Sequence, residues 1–125
     1  MTELGKLKNL RSVFEAVKEL ITTTERSLPS SDRGKLDPMG LASDILNFCA
    51  KSVVSLTDAQ ALVQSLKGYS LQIQVVFANG VIDLLATIPD NVIDSRARLQ
   101  QKATLNTLRD HLVAAEEKDH EAHAT

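Results

Sequence analysis

The chain has no tryptophan, one cysteine, one tyrosine, three phenylalanines, three prolines and five glycines. Each scarcity removes a class of function. A single cysteine, Cys49, excludes an internal disulfide and a multi-cysteine zinc site. Gly5, Gly34, Gly40, Gly68 and Gly80 are scattered, so no glycine-rich loop is available to cradle a phosphate. Charge of one sign is lacking too: 14 Lys and Arg face 16 Asp and Glu, giving a net charge of -2 and a pI near 5.9. That balance sets up no field to attract a phosphate backbone, and nucleic acid is not expected as a partner. Arg96, Arg98 and Lys102 form a small basic cluster, but no aromatic residue lies beside them to stack on a base, so they read as a solvated face.

Long apolar runs are also missing. Charges interrupt the N-terminal MTELGKLKNLRSVFEAVKELI, so it does not read as a signal peptide, and a cytoplasmic location is expected. The nearest approach to a membrane span is Tyr69 to Ile88, and it carries Gln72, Gln74, Asn79 and Asp83. A central Asp alone costs about 2.5 to 3.5 kcal/mol on insertion scales, so this segment reads as a buried bundle helix. Insertion after a trigger is the alternative.

What is present is 43% hydrophobic residues in 125, overwhelmingly aliphatic. A chain of 13.6 kDa folds to roughly 6,600 Å² of surface if compact, enough to enclose one core and not two. The aliphatic spacing is helical. Leu7, Leu10, Phe14, Val17 and Ile21 recur every three or four residues, predicting a first helix from Glu3 to Arg26 that ends before the turn-forming Ser27 to Gly34. Asp37 followed by Pro38 starts a second helix, whose apolar positions run through Leu41, Ile45, Phe48, Cys49, Val53 and Leu56. Thr57-Asp58-Ala59-Gln60 fits a capping box and places the next helix start at Thr57. A third helix then extends to Ile88, with Gly68 and Gly80 as weak points. The competing reading carries the second helix to Lys67 and ends it at Gly68. A fourth helix follows the Pro89-Asp90-Asn91 turn and presents Leu99, Leu105, Leu108, Leu112 and Ala115 as far as Lys118. Only Ser70 to Val76 alternates like a strand, and one strand has no sheet to join.

The expected architecture is an up-down antiparallel four-helix bundle over residues 1–118 with a frayed polar tail over 119–125. A three-helix bundle with a kinked long central helix is the alternative. Candidate chemistry is sparse. His120 and His123 fall in the tail beside Glu116, Glu117, Asp119 and Glu121. His111 reads as a boundary residue, Cys49 as a core thiol and Asp83 as a solvent-facing carboxylate. The repeated inward Glu and His ligands of di-iron bundles are not found, and no metal, cofactor or catalytic residue is expected.

Charge is unevenly shared. Residues 38–88 contain only Asp44, Lys51, Asp58, Lys67 and Asp83, while the flanking thirds hold 25 of the 30 charges. A weakly charged surface is easier to desolvate. Val54, Val75, Val76 and Leu85 each lie off the main stripe of their helix and widen its apolar face. These four are the expected partner contacts of a non-enzymatic interaction or scaffold module that binds a partner helix or a second copy through the second and third helices. A membrane-active or lipid-contacting bundle is the alternative. The periodicity makes one direct prediction: far-ultraviolet dichroism of the chain will show helix with no sheet component.

Overall fold

The computed structural model describes residues 3–89 and 92–124, with side chains described over 11–89 and 92–118. The described residues are all-helical and contain no strand. They form α1 (Glu3–Arg26), α2 (Pro38–Ala50), α3 (Leu56–Val63), a 3-10 turn (Gln64–Leu66), α4 (Leu71–Thr87) and α5 (Ser95–Ala124). Contacts run from α1 to α2, α2 to α3, α3 to α5, α5 to α4, and α4 back to α1, so the five helices close a ring around one core. The α4–α5 contact is the most extensive. None of these helices is long and apolar enough to cross a membrane.

The first helix has the predicted bounds. Val13, Val17 and Ile21 form its buried stripe, whereas Phe14, expected on that stripe, is 53% exposed. The chain leaves α1 through a pinned loop. Arg33 donates from Nε to the Leu28 carbonyl and from Nη2 to the Arg26 carbonyl, Gly34 takes a φ of +90° that favours glycine, and Leu28 and Leu36 are both buried. Asp37 occupies the N-cap of α2 with Pro38 behind it, as predicted, but its carboxylate makes no cap hydrogen bond. It lies instead over Gly40, where a Cβ would sit 2.4 Å from Oδ2.

Five helices are observed where the spacing predicts four, because the expected helix over 57–88 is divided. Its first part does not begin at Thr57. Ser55 is the N-cap of α3: its Oγ accepts from the Asp58 N–H at 3.2 Å, and its own N–H donates to Asp58 Oδ2 at 2.8 Å. Thr57 lies inside the helix. The reciprocal pair is Ser-x-x-Asp, one carbon shorter than the Ser/Thr-x-x-Glu/Gln pattern. The second part starts afresh at Ser70, whose Oγ accepts from the Ile73 N–H at 3.4 Å, so the segment that alternates like a strand is the first turns of α4. Between them the chain tightens into the 3-10 turn and passes Gly68.

At the far end α5 does not stop near Lys118. Its backbone is helical to Ala124, in keeping with the high helix propensity of Ala, Glu and Lys in EEKDHEAHA. Thirty residues at 1.5 Å each make α5 about 45 Å long against about 26 Å for α4. A helix that outruns its neighbour by so much exposes extra surface, and the folded area of 7844 Å² exceeds the compact expectation accordingly.

The linker between α2 and α3 is held by two adjacent glutamines of α5. Gln100 accepts from the Val54 N–H at 2.8 Å and donates to the Val54 carbonyl at 2.6 Å, pairing with both backbone groups as a neighbouring strand would. Gln101 is fully buried and donates from Nε2 to the carbonyls of Cys49 at 3.0 Å and Lys51 at 2.8 Å. Those carbonyls belong to the end of α2 and the first linker residue, where no intrahelical donor is available. Gln101 Oε1 has no partner, so the arrangement satisfies backbone acceptors at the expense of one side-chain oxygen. Replacing Gln101 by Leu is expected to lower stability by about 1 to 3 kcal/mol, the loss of backbone partners being offset in part by removing the orphaned oxygen. Urea unfolding read by dichroism checks this, and an unchanged midpoint would show that the glutamine contributes nothing net.

Candidate functional site

A surface depression lies between α1 and α4. It has a volume of about 360 Å³ and is lined by Ala16, Glu19, Leu20 and Thr23 of α1 and Gly80, Asp83, Leu84 and Thr87 of α4. On α1 the lining falls at spacings of three and four residues, and on α4 it does the same, so each helix presents one continuous wall. Burial divides the lining into two layers. Leu84 is buried and Ala16, Leu20 and Gly80 are half-buried, forming an apolar floor; Glu19, Thr23, Asp83 and Thr87 are exposed and form a polar rim. Gly80 gives Leu20 room: a Cβ there would overlap Leu20 Cδ1, so the missing side chain lets the end of Leu20 rest on the α4 backbone. Thr87 turns its hydroxyl inward, donating to the Leu84 carbonyl at 2.8 Å. Among the described residues neither Glu19 nor Asp83 forms an ion pair.

The four contact residues expected from the sequence separate. Leu85 is fully buried and Val54 is 3% exposed, so both belong to the core. For Leu85 the cause is the wide apolar face of α4, which α5 covers on one side while α1 takes the other. For Val54 it is the Gln100 clasp, which draws the linker onto α5. Val75 is half-buried and Val76 is 37% exposed. Val76 stands four residues before Gly80 and seven before Asp83, so it lies on the same face of α4 as the groove lining, one turn before it. The spacing alone did not single out the groove, because its α1 wall consists of Ala, Glu, Leu and Thr with no distinguishing motif.

Two further depressions flank α2 and share Asp44: one, about 260 Å³, is bounded by Lys35, Asp37, Gly40, Asp44, Ser65 and Tyr69 among others, and a smaller one, about 130 Å³, by Asp44, Asn47, Lys51 and Asp58 together with the apolar Phe48, Ala61 and Leu62. Most of their charged groups are committed to one another or to local structure, the Asp37 carboxylate over Gly40 being the exception. Ser65 donates to Asp44 at 3.0 Å, and Lys51 Nζ meets Asp58 Oδ1 at 2.7 Å. The Lys51 ammonium and then the Ser55 N–H hold the Asp58 carboxyl down, from an ordinary 3.8 to about 2. This is the chemistry of a helix cap.

Remaining candidates resolve individually. Cys49 is buried, and burial pushes its thiol up to about 11, which suppresses the thiolate. His111 is exposed, as is Asp83. The basic cluster does not act as a unit: the Arg98 guanidinium donates to the Ile88 carbonyl and closes the end of α4, while Arg96 is exposed and Lys102 half-buried. The side chains of His120 and His123 lie outside the described residues. No group of three or more His, Cys, Asp or Glu is placed to hold a metal ion among the described residues. Compared with known proteins, the chain matches no family model, no curated protein and no solved structure.

The cap chemistry carries a pH prediction. Because the folded Asp58 carboxyl titrates below its unfolded value, its contribution to stability is fully present above about pH 4 and is lost as the pH falls through about 2. A carboxyl-detected NMR titration is expected to place the Asp58 midpoint near 2. In Lys51→Met the midpoint should rise toward the ordinary value, and an unmoved midpoint would show that the ammonium is not the cause.

Proposed function

We propose that this chain is an up-down helical bundle, with the expected third helix divided into α3 and α4, that works as a non-enzymatic protein-interaction module and receives a partner helix in the α1–α4 groove. One observation carries the reading: the groove has an apolar floor of Ala16, Leu20, Gly80 and Leu84 under an exposed polar rim. Helix-in-groove recognition uses that division, with apolar anchors one turn apart seated on the floor and polar side chains meeting the rim. The α1 wall from Ala16 to Thr23 is about 10 Å long, which suits anchors at i and i+4.

The partner surface in this reading is α1 with α4, including Val76, in place of a face shared by the second and third helices. The low charge of residues 38–88 has two sources under this view. Much of α4 is buried by its neighbours, and the remainder borders a surface that must be desolvated on binding.

The test is selection of displayed amphipathic helices on the intact chain, with Thr23→Tyr as the counter-target. Thr23 is exposed at the rim, so the substitution fills the groove without entering the core. Recovered helices are expected to bind the unaltered chain and to lose at least about tenfold in affinity for Thr23→Tyr and for Val76→Lys, a loss of about 1.4 kcal/mol. Binders indifferent to both substitutions, or none at all, would overturn the reading. Flotation of the chain with anionic and neutral vesicles tests lipid contact in parallel, and binding there would favour the membrane-active alternative.

A further inference from the structure

We infer that the α1–α4 groove selects a cationic amphipathic helix, one whose apolar anchors are flanked by Lys or Arg. This inference rests on the helix-binding reading and adds the charge of the partner. The ionisable groups lining the groove are Glu19 and Asp83, one on each wall, and no lining residue is basic. Neither carboxylate is spent on an ion pair among the described residues. Glu15, one turn before Glu19 on α1 and exposed, extends the acidic edge along the same face. Arg26, seven residues beyond Glu19, ends that edge, so the acidic stretch has a limit along α1.

The alternatives for an occupant fit less well. An anionic lipid surface or a nucleic acid would bring negative charge against Glu19 and Asp83. A second copy that would insert its Phe14 is disfavoured by geometry. The exposed aromatic residue of this chain nearest in sequence to the groove is Phe14, two residues before Ala16 and therefore roughly 200° around α1 from it. Knob and groove lie on different faces, and such a pairing does not close into a two-fold dimer. Surface ion pairs are individually weak, so the anchors set the affinity and the carboxylates set the choice of partner and the rate of encounter.

The test uses two synthetic helical peptides with identical Leu anchors at i and i+4, one flanked by Lys and the other by Glu. Each is titrated against the intact chain by fluorescence anisotropy at low and high salt. The Lys peptide is expected to bind at least about fivefold more tightly at low salt, the preference shrinking at high salt and in the rim variant Glu19→Gln/Asp83→Asn. Both substituted residues are exposed, and dichroism of the variant confirms its fold independently of binding. Equal binding of the two peptides, blocked by Thr23→Tyr, would overturn the charge preference and leave the helix-binding reading standing. Preference for the Glu peptide would overturn it as well, and failure of either peptide to bind would remove both.

Discussion

The width of the apolar face of α4 is the constraint from which the rest of this structure follows. Ile73, Phe77, Ala78, Val81, Leu84 and Leu85 are all buried, and together they cover more of the circumference than a single neighbouring helix can reach. Two neighbours are therefore needed. α5 supplies one side and α1 the other, the half-buried Leu20 of α1 lying against Gly80. At the edge of the α1 contact Gly80 permits Leu20 to approach the backbone, and the same close approach leaves the groove beside it. The groove is in this sense a by-product of how α4 is covered.

The ring of helices also depends on polar contacts that span the chain. α2 and α5 meet through the amides of Gln100 and Gln101, which answer the backbone groups of Val54, Cys49 and Lys51. The orphaned oxygen of the buried Gln101 offsets part of what its donated hydrogen bonds contribute, and those bonds give the linker one address on α5. The capping box of Ser55 and Asp58, reinforced by Lys51, then starts α3 in the orientation that the linker has set. Local and long-range hydrogen bonds thus act on consecutive residues, 49–58, and the two sets agree.

The contrast between the α1–α4 groove and the depressions flanking α2 shows why polarity alone does not mark a site. The α2 depressions have more charged residues on their walls, yet Asp58 is engaged by Lys51 and Asp44 by Ser65. In the α1–α4 groove the two carboxylates stand over apolar floor residues with no partner among the described residues. Uncommitted charge bordering apolar surface matches the division between polar rim and apolar centre found in protein interfaces.

Helical class and the ends of α1 were legible in the linear chain because three-and-four spacing and turn-forming residues are local properties of the backbone. So was the burial of Cys49, which sits in the middle of an apolar stripe. The division of the 57–88 segment was only half legible: Gly68 marked a weak point, but Ser70 became a cap through a hydrogen bond to Ile73 that competes with the alternating pattern around it. The fate of the four off-stripe residues was decided in three dimensions. Leu85 and Val76 look alike in the sequence, and only the packing of the neighbouring helices puts the first in the core and leaves the second exposed. Periodicity states which side of a helix is apolar; how much of that side remains uncovered depends on which helices fold back against it, and that is a property of contacts between residues far apart in the chain.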